Sequence, residues 1–204
     1  MSVLLIAVTS YLLGSIPFGY ILVRVFRGED VRQSGSGNIG ATNVSRRSPA
    51  LGALTLVLDA LKGSAAVWLA YWLSGRMRGA SPSSVSLAAF SAVAGHMFPL
   101  WLGFRGGKGV ATGLGAFAMI APKPVLVSAA IFAVAVLLFR YVSLGSVVAV
   151  AAFPLVVLGM HGYGGYRLAL AFMIATSLLI ILRHHENLRR LVAGTESRLG
   201  AARK

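Results

Sequence analysis

The chain has 204 residues, of which 57% are hydrophobic and 12% charged, with a mean hydropathy of +0.80. A soluble domain of this size needs more polar surface to cover its core, so that class is excluded. The 19 Lys and Arg against five acids give a formal net charge of +14, which suits anionic lipid headgroups or anionic substrates, and the lack of cysteine removes disulfides and thiolate chemistry.

The apolar residues fall into long blocks, the pattern of bilayer spans. They predict helices at Val3–Val23, Ala50–Leu73, Val85–Leu102, Val110–Ala121, Val125–Phe139, Val147–Leu158 and Leu168–Leu182. The first block lacks a basic leader and runs on through Gly14-Ser15-Ile16-Pro17, so it is expected to be a retained span rather than a signal peptide. The fourth and sixth are short of the roughly 20 residues a bilayer core requires, and are expected to begin inside the loops before them. The expected fold is an all-α integral membrane protein of seven transmembrane helices, forming one polytopic membrane domain over residues 1–204.

Orientation follows from the basic residues. Alternate loops and the tail hold fourteen: Arg24, Arg27, Arg32, Arg46, Arg47, Arg105, Lys108, Arg140, Arg183, Arg189, Arg190, Arg198, Arg203 and Lys204. The other side holds four: Arg76, Arg78, Lys123 and Arg167. The excess of positive charge on the inside puts the N-terminus outside and the C-terminus in the cytoplasm. Because the basic residues lie between spans, nucleic acid is not an expected partner.

Taken in chain order, the first inner loop carries Ser34-Gly35-Ser36-Gly37-Asn38-Ile39-Gly40-Ala41-Thr42-Asn43-Val44-Ser45-Arg46. Glycines let backbone N–H groups approach an anion, hydroxyls add donors, and Arg binds phosphate through two parallel bonds. The same composition also describes a flexible Gly/Ser connector. Asp59 and Lys62 stand three residues apart inside the second span, where charges are costly and normally pair.

The third loop reads Gly95-His96-Met97-Phe98-Pro99, then Gly103-Phe104-Arg105-Gly106-Gly107-Lys108-Gly109, leading into an apolar helix. That pattern suits a phosphate nest at a helix N-terminus, or else a tight loop with basic membrane anchors. It is not a nucleotide P-loop, because Leu102 stands where the first glycine is required and Gly109 replaces the Ser or Thr. His96 could equally be a buried, hydrogen-bonded histidine. Arg140-Tyr141-Val142-Ser143-Leu144-Gly145-Ser146 adds hydroxyls on the inner side. The tail opens with His184-His185-Glu186-Asn187-Leu188-Arg189-Arg190, in which His184 and Asn187 would share a helix face. This segment could also be a basic, headgroup-binding helix, and Arg189 breaks an HExxH metal pattern. The inner loops together suit an anionic, phosphorylated substrate whose remainder lies in lipid.

Six segments carry a resemblance to a known family: Gly14-Ser15-Ile16-Pro17, Ser36 to Asn43, Leu58-Asp59-Ala60-Leu61-Lys62-Gly63, Gly95 to Pro99, Gly106 to Ala111, and His184 to Asn187. They resemble the PlsY family, bacterial glycerol-3-phosphate acyltransferases that use acyl phosphate. The resemblance implies transfer of a fatty acyl group from acyl phosphate to the 1-hydroxyl of sn-glycerol 3-phosphate, giving lysophosphatidic acid and phosphate for phospholipid synthesis. It implies Lys108, Ser36, His184 and Asn187 as catalytic candidates. Asn38, Thr42, Asn43, Arg46, His96, Gly106, Gly107, Ser143 and Ser146 are the substrate- and phosphate-binding ones. Membrane lipids and the two substrates are the expected partners, with no cofactor, metal or obligate protein partner, in the bacterial inner membrane.

Thioester-using glycerolipid acyltransferases resemble one another in an HxxxxD pair. Here the fifth residue after each histidine is Trp101, Tyr166, Arg189 or Arg190. The alternative function, an anion transporter or channel, would need polar residues through the bilayer midplane and often shows paired repeats.

Overall fold

A computed structural model of the chain describes residues 3–74, 81–161 and 166–200. Arg76, Arg78, Arg203 and Lys204, which enter the charge asymmetry, lie outside the described residues. All regular structure among those residues is helical, in two compact units that divide after Ile120.

The first unit opens with α1 (Val3–Gly14) and α2 (Phe18–Arg27), which together make one apolar segment of 25 residues. The expected continuous helix is instead broken at Ser15–Pro17 and runs on to Arg27. Pro17 has no N–H and disfavours helical backbone at Ile16, so the break falls where the proline stands. After the first loop and its short α3 (Ala41–Val44) comes α4 (Pro49–Leu73), with Ser48 capping its start and Pro49 in its first turn. α5 (Pro82–Met97) is followed by a 3-10 turn at Leu100–Leu102, and α6 (Val110–Ile120) closes the unit.

Small residues let these helices approach closely, as bilayer packing favours. A Cβ on Gly14 of α1 would collide with the Ala92 carbonyl of α5, and one on Gly63 of α4 with the Thr112 carbonyl of α6. The second contact lies in the first turn of α6. That turn meets α4 roughly 20 Å along the latter helix from Pro49. In the loop before α6, Gly106, Gly107 and Gly109 are buried against protein, whereas Gly103, Phe104 and Arg105 are exposed.

The second unit holds α7 (Pro122–Phe139), α8 (Val142–His161), α9 (Arg167–Leu182) and α10 (His185–Val192). α8 begins five residues before the expected Val147 and reaches 20 residues, so Ser143 and Ser146 lie in its first turns. The Ser146 hydroxyl donates to the Val142 carbonyl at 2.9 Å, which satisfies it within the helix. α9 and α10 meet at a bend of 52°. Outward-facing Leu126, Leu137 and Leu155 are 69%, 79% and 69% exposed, as a lipid-facing surface requires.

Five segments are long and apolar enough to cross a bilayer, or six if α9 and α10 form one bent span. α6 is the shorter apolar helix beside them.

Candidate active site

The first loop is an ordered element rather than a floppy connector. Val23, Val31, Ile39 and Val44 form a small buried core beneath it, against which Tyr20, Leu51 and Leu102 pack. Leu102 belongs to the third loop, so this core ties the two loops of the first unit together. Around it the backbone folds onto one side chain, Asn43. Its Oδ1 accepts the Ser36 N–H at 2.9 Å, and its Nδ2 donates to the carbonyls of Val31, Ser34 and Asn38 at 3.1, 3.0 and 2.8 Å. Asn38 makes a local turn by accepting the Gly40 N–H at 2.8 Å. Gly35 sits at φ 60°, and a Cβ there would run into the Asn43 amide, so only glycine fits.

Charge on this loop is unevenly committed. Arg32 forms a bidentate pair with Asp30 and stacks 4.9 Å from the Tyr20 centroid. Hydrogen bonding from Arg32 holds the Asp30 carboxyl below the usual carboxylate value. Arg27 and Arg47 both reach Glu29, at 3.9 and 3.7 Å. Arg46 forms no ion pair among the described residues, and Ser36, Thr42 and Arg46 are all exposed. One cation and two hydroxyls are thus presented outward from a rigid loop.

The glycine-rich loop folds back along the end of α5. The Gly106 and Gly107 N–H groups donate to the Met97 and His96 carbonyls at 3.1 and 3.0 Å. These two amides are therefore committed within the loop rather than aimed at an anion. A Cβ on Gly107 would overlap the His96 ring, so the loop can lie this close only because the residue is glycine. Lys108 emerges half-buried from this turn, two residues before α6 begins. The first turn of a helix leaves backbone N–H groups without helical partners, a favourable place for an anion beside a lysine. His96 is 4% exposed and lies beneath the loop.

The second unit has its own polar cluster. Glu196 is folded back so that its carboxylate accepts from Ser143 Oγ at 2.6 Å, Asn187 Nδ2 at 2.6 Å and Arg190 Nε at 2.7 Å. His184 is 2% exposed and caps α10 rather than lying in it. Its Nδ1 is 2.8 Å from the Ile180 carbonyl. A carbonyl only accepts, so Nδ1 carries the proton and Nε2 is the basic nitrogen of the neutral ring. Among the described residues no three His, Asp or Glu side chains gather as a metal-ligand set.

Residues 4–194 match the glycerol-3-phosphate acyltransferase family. The chain belongs to that family. The glycerol-3-phosphate acyltransferase of Syntrophotalea carbinolica is 46% identical, over 94% of this chain and 95% of that protein. The Rhizobium meliloti enzyme of the same name is 47% identical over 98% and 93%. The crystal structure of PlsY, an integral membrane glycerol 3-phosphate acyltransferase, in its glycerol 3-phosphate form is similar with a TM-score of 0.88. That likeness has 38% identity and covers 98% of this chain and 96% of that one. The lysophosphatidic acid form gives a TM-score of 0.85 at 37% identity.

In this acyltransferase, then, Ser36, Asn38, Asn43 and Arg46 gather in the first loop, while Gly106 and Gly107 of the third loop lie against His96 near the end of α5. Ser143 and Asn187 meet at Glu196 in the second unit. The carboxylate of Glu196 was not among the candidates, although it is the one acid of the otherwise basic tail after Glu186. Burial raises the Glu196 carboxyl, but bonds from Ser143, Asn187 and Arg190 outweigh it and hold it below the ordinary value of 4.5. A depressed acid contributes stability above its unfolded value and loses it as pH falls through the folded value. Protection of the hydrogen-bonded amides of residues 194–199, measured against their intrinsic exchange rates, should therefore be high at neutral pH and fall once the pH drops below about 4.5. Protection that persists unchanged to pH 3 would show that the carboxylate does not hold the tail.

Proposed function

We propose that this family member acylates the 1-hydroxyl of sn-glycerol 3-phosphate with acyl phosphate as donor, giving lysophosphatidic acid and inorganic phosphate in the bacterial inner membrane. The observation that carries the donor assignment is Lys108, presented by a glycine-rich turn at the N-terminus of α6. That is an anion site, and phosphate is the group an acyl phosphate expels.

In the proposed step the acceptor oxygen attacks the acyl carbonyl, an ester C–O bond forms, and the C–O bond to phosphate breaks. The hydroxyl proton ends on phosphate. A mixed anhydride is already activated, so orientation and charge stabilisation supply much of the catalysis. Lys108 stabilises the departing phosphate or the tetrahedral oxyanion. Ser36, Thr42 and Arg46 bind phosphate from the first loop, while Asn38 and Asn43 set that loop's shape. Gly106, Gly107 and His96 set the turn that carries Lys108. By the family resemblance, His184 and Asn187, with Ser143 or Ser146, are the candidates for contacting the acceptor. The donor phosphate takes the proton; His184 Nε2 is the rival base.

We further propose seven spans, with α6 and α9 crossing as shorter helices, the N-terminus outside and the C-terminus in the cytoplasm. Fusion reporters test this: those after Arg46, after Gly107 and at the C-terminus should register as cytoplasmic, and one near Ser81 as external. A periplasmic signal from the Gly107 fusion would remove the phosphate loop from the proposed chemistry. The activity itself is tested with purified protein, acyl phosphate and glycerol 3-phosphate, which should yield lysophosphatidic acid and phosphate in equal amounts.

A further inference from the structure

One buried ion pair in the first unit, Asp59 and Lys62, has no part in the chemistry above. Lys62 Nζ lies 2.7 Å from Asp59 Oδ1, donates to the Ile16 carbonyl at 2.7 Å and sits 5.7 Å from the Phe18 ring centroid. Ile16 is in the break between α1 and α2, so this bond anchors the interrupted first span to α4. The same Asp59 oxygen faces His96 Nδ1 at 3.6 Å, an electrostatic contact rather than a hydrogen bond. Asp59, Lys62 and His96 are 2%, 4% and 4% exposed.

A buried ion pair is commonly no more stabilising than apolar side chains of equal volume, and charges within a span are dearer still. Fastening α4 to the Ile16 carbonyl accounts for Lys62 and its counter-ion. It does not account for the imidazole on the other side of Asp59. That ring is the surface against which Gly107 lies, since a Cβ on Gly107 would overlap Nε2. Gly107 also donates its N–H to the His96 carbonyl at 3.0 Å. The next residue is Lys108.

We infer that Asp59 and Lys62 are positioning residues for acyl transfer, acting through His96 to hold Gly107 and so aim the Lys108 side chain. The carboxylate fixes the ring, the ring fixes the turn, and the ammonium of Lys62 fixes the carboxylate. This rests on the role proposed for Lys108.

The test uses full-length protein and reads turnover per folded molecule beside thermal stability. Asp59→Asn/Lys62→Met removes both charges together, so neither is left buried alone. Asp59→Glu keeps the pair but moves the carboxylate by one methylene, and serves if the double variant fails to fold. In either variant kcat should fall about tenfold, as a misplaced catalytic group would cause, beyond any change in melting temperature. Combined with Lys108→Ala, the same substitutions should cost nothing further, because the group they aim is gone. Wild-type kcat in a folded variant would overturn the inference, and so would an undiminished loss in the Lys108→Ala background. Normal activity of Asp59→Glu beside an inactive Lys108→Ala would sink this inference alone. Normal activity of Lys108→Ala would sink the role of Lys108, and the inference with it.

Discussion

Lys108→Ala is expected to reduce turnover roughly a hundredfold or more while the protein remains inserted and folded. The lysine is half-buried at the end of a turn whose backbone is fixed by Gly106 and Gly107 bonding to the last residues of α5. Truncating it leaves those bonds in place, so the turn should persist without its charge. The lost interaction is with a phosphate carrying the negative charge that grows as the mixed anhydride breaks. An interaction of that kind acts on the transition state, so kcat should fall rather than KM alone rise. Steady-state kinetics on purified protein, with chromatographic behaviour as the folding control, make the measurement. Turnover near that of the wild type would refute the role.

Asn43→Ala is expected to be the most damaging substitution in the first loop, although Asn43 is 3% exposed and presents nothing to solvent. Its amide accepts from Ser36 and donates to three carbonyls, so truncation removes four bonds at once; the Val31 and Ser34 carbonyls keep the N–H groups of Ser34 and Gly37, while the Ser36 N–H and the Asn38 carbonyl lose the bond that holds them. Leaving a buried polar group unsatisfied costs about 1–3 kcal/mol, so the loss should exceed that of an ordinary surface change several times over. The shape of residues 31–38 depends on these bonds, and activity should fall along with stability. Asn43→Asp should fare no better, because a carboxylate cannot donate to those carbonyls. Thr42→Ala, one residue earlier and exposed, should leave the melting temperature within a degree or two. A stable, active Asn43→Ala protein would mean the loop is shaped by its buried valines and Ile39 instead.

Much of the architecture is legible in the sequence because lipid demands apolar helices, and each block of hydrophobic residues is helical, although the first is divided in two and α6 is short. The departures are local. The α1–α2 break stands at Pro17, which is visible in the sequence but sits within a predominantly apolar run. The start of α8 reads as a loop because Ser143, Gly145 and Ser146 are turn formers, yet Ser146 bonds back to its own helix.

The candidate site divides in the same way. The glycine-rich turn is recognisable from its composition, which does not show that its Gly106 and Gly107 amides bond back to the end of α5 instead of lining an anion nest. Asn38 and Asn43 look alike in sequence, whereas one makes a local turn and the other holds the whole loop. The Asp59–Lys62 pair is readable from its spacing along one helix. Its extension to His96 is not, because it depends on how α4 packs beside α5. The Ser143–Glu196 bond joins residues 53 apart in the chain, and no local pattern announces it.

Donor choice tests the proposed chemistry most directly. The same acyl chain should be offered to purified protein as palmitoyl phosphate and as palmitoyl-CoA, each with glycerol 3-phosphate, and lysophosphatidic acid measured. No histidine is followed at the fifth position by an acid, so the base that thioester-using acyltransferases orient is lacking. Lys108 and the head of α6 suit a donor whose leaving group is itself phosphate. Palmitoyl phosphate should give product with one phosphate released per ester formed, and palmitoyl-CoA should give none. A comparable rate from the CoA thioester would contradict the mechanism, even with lysophosphatidic acid as the product.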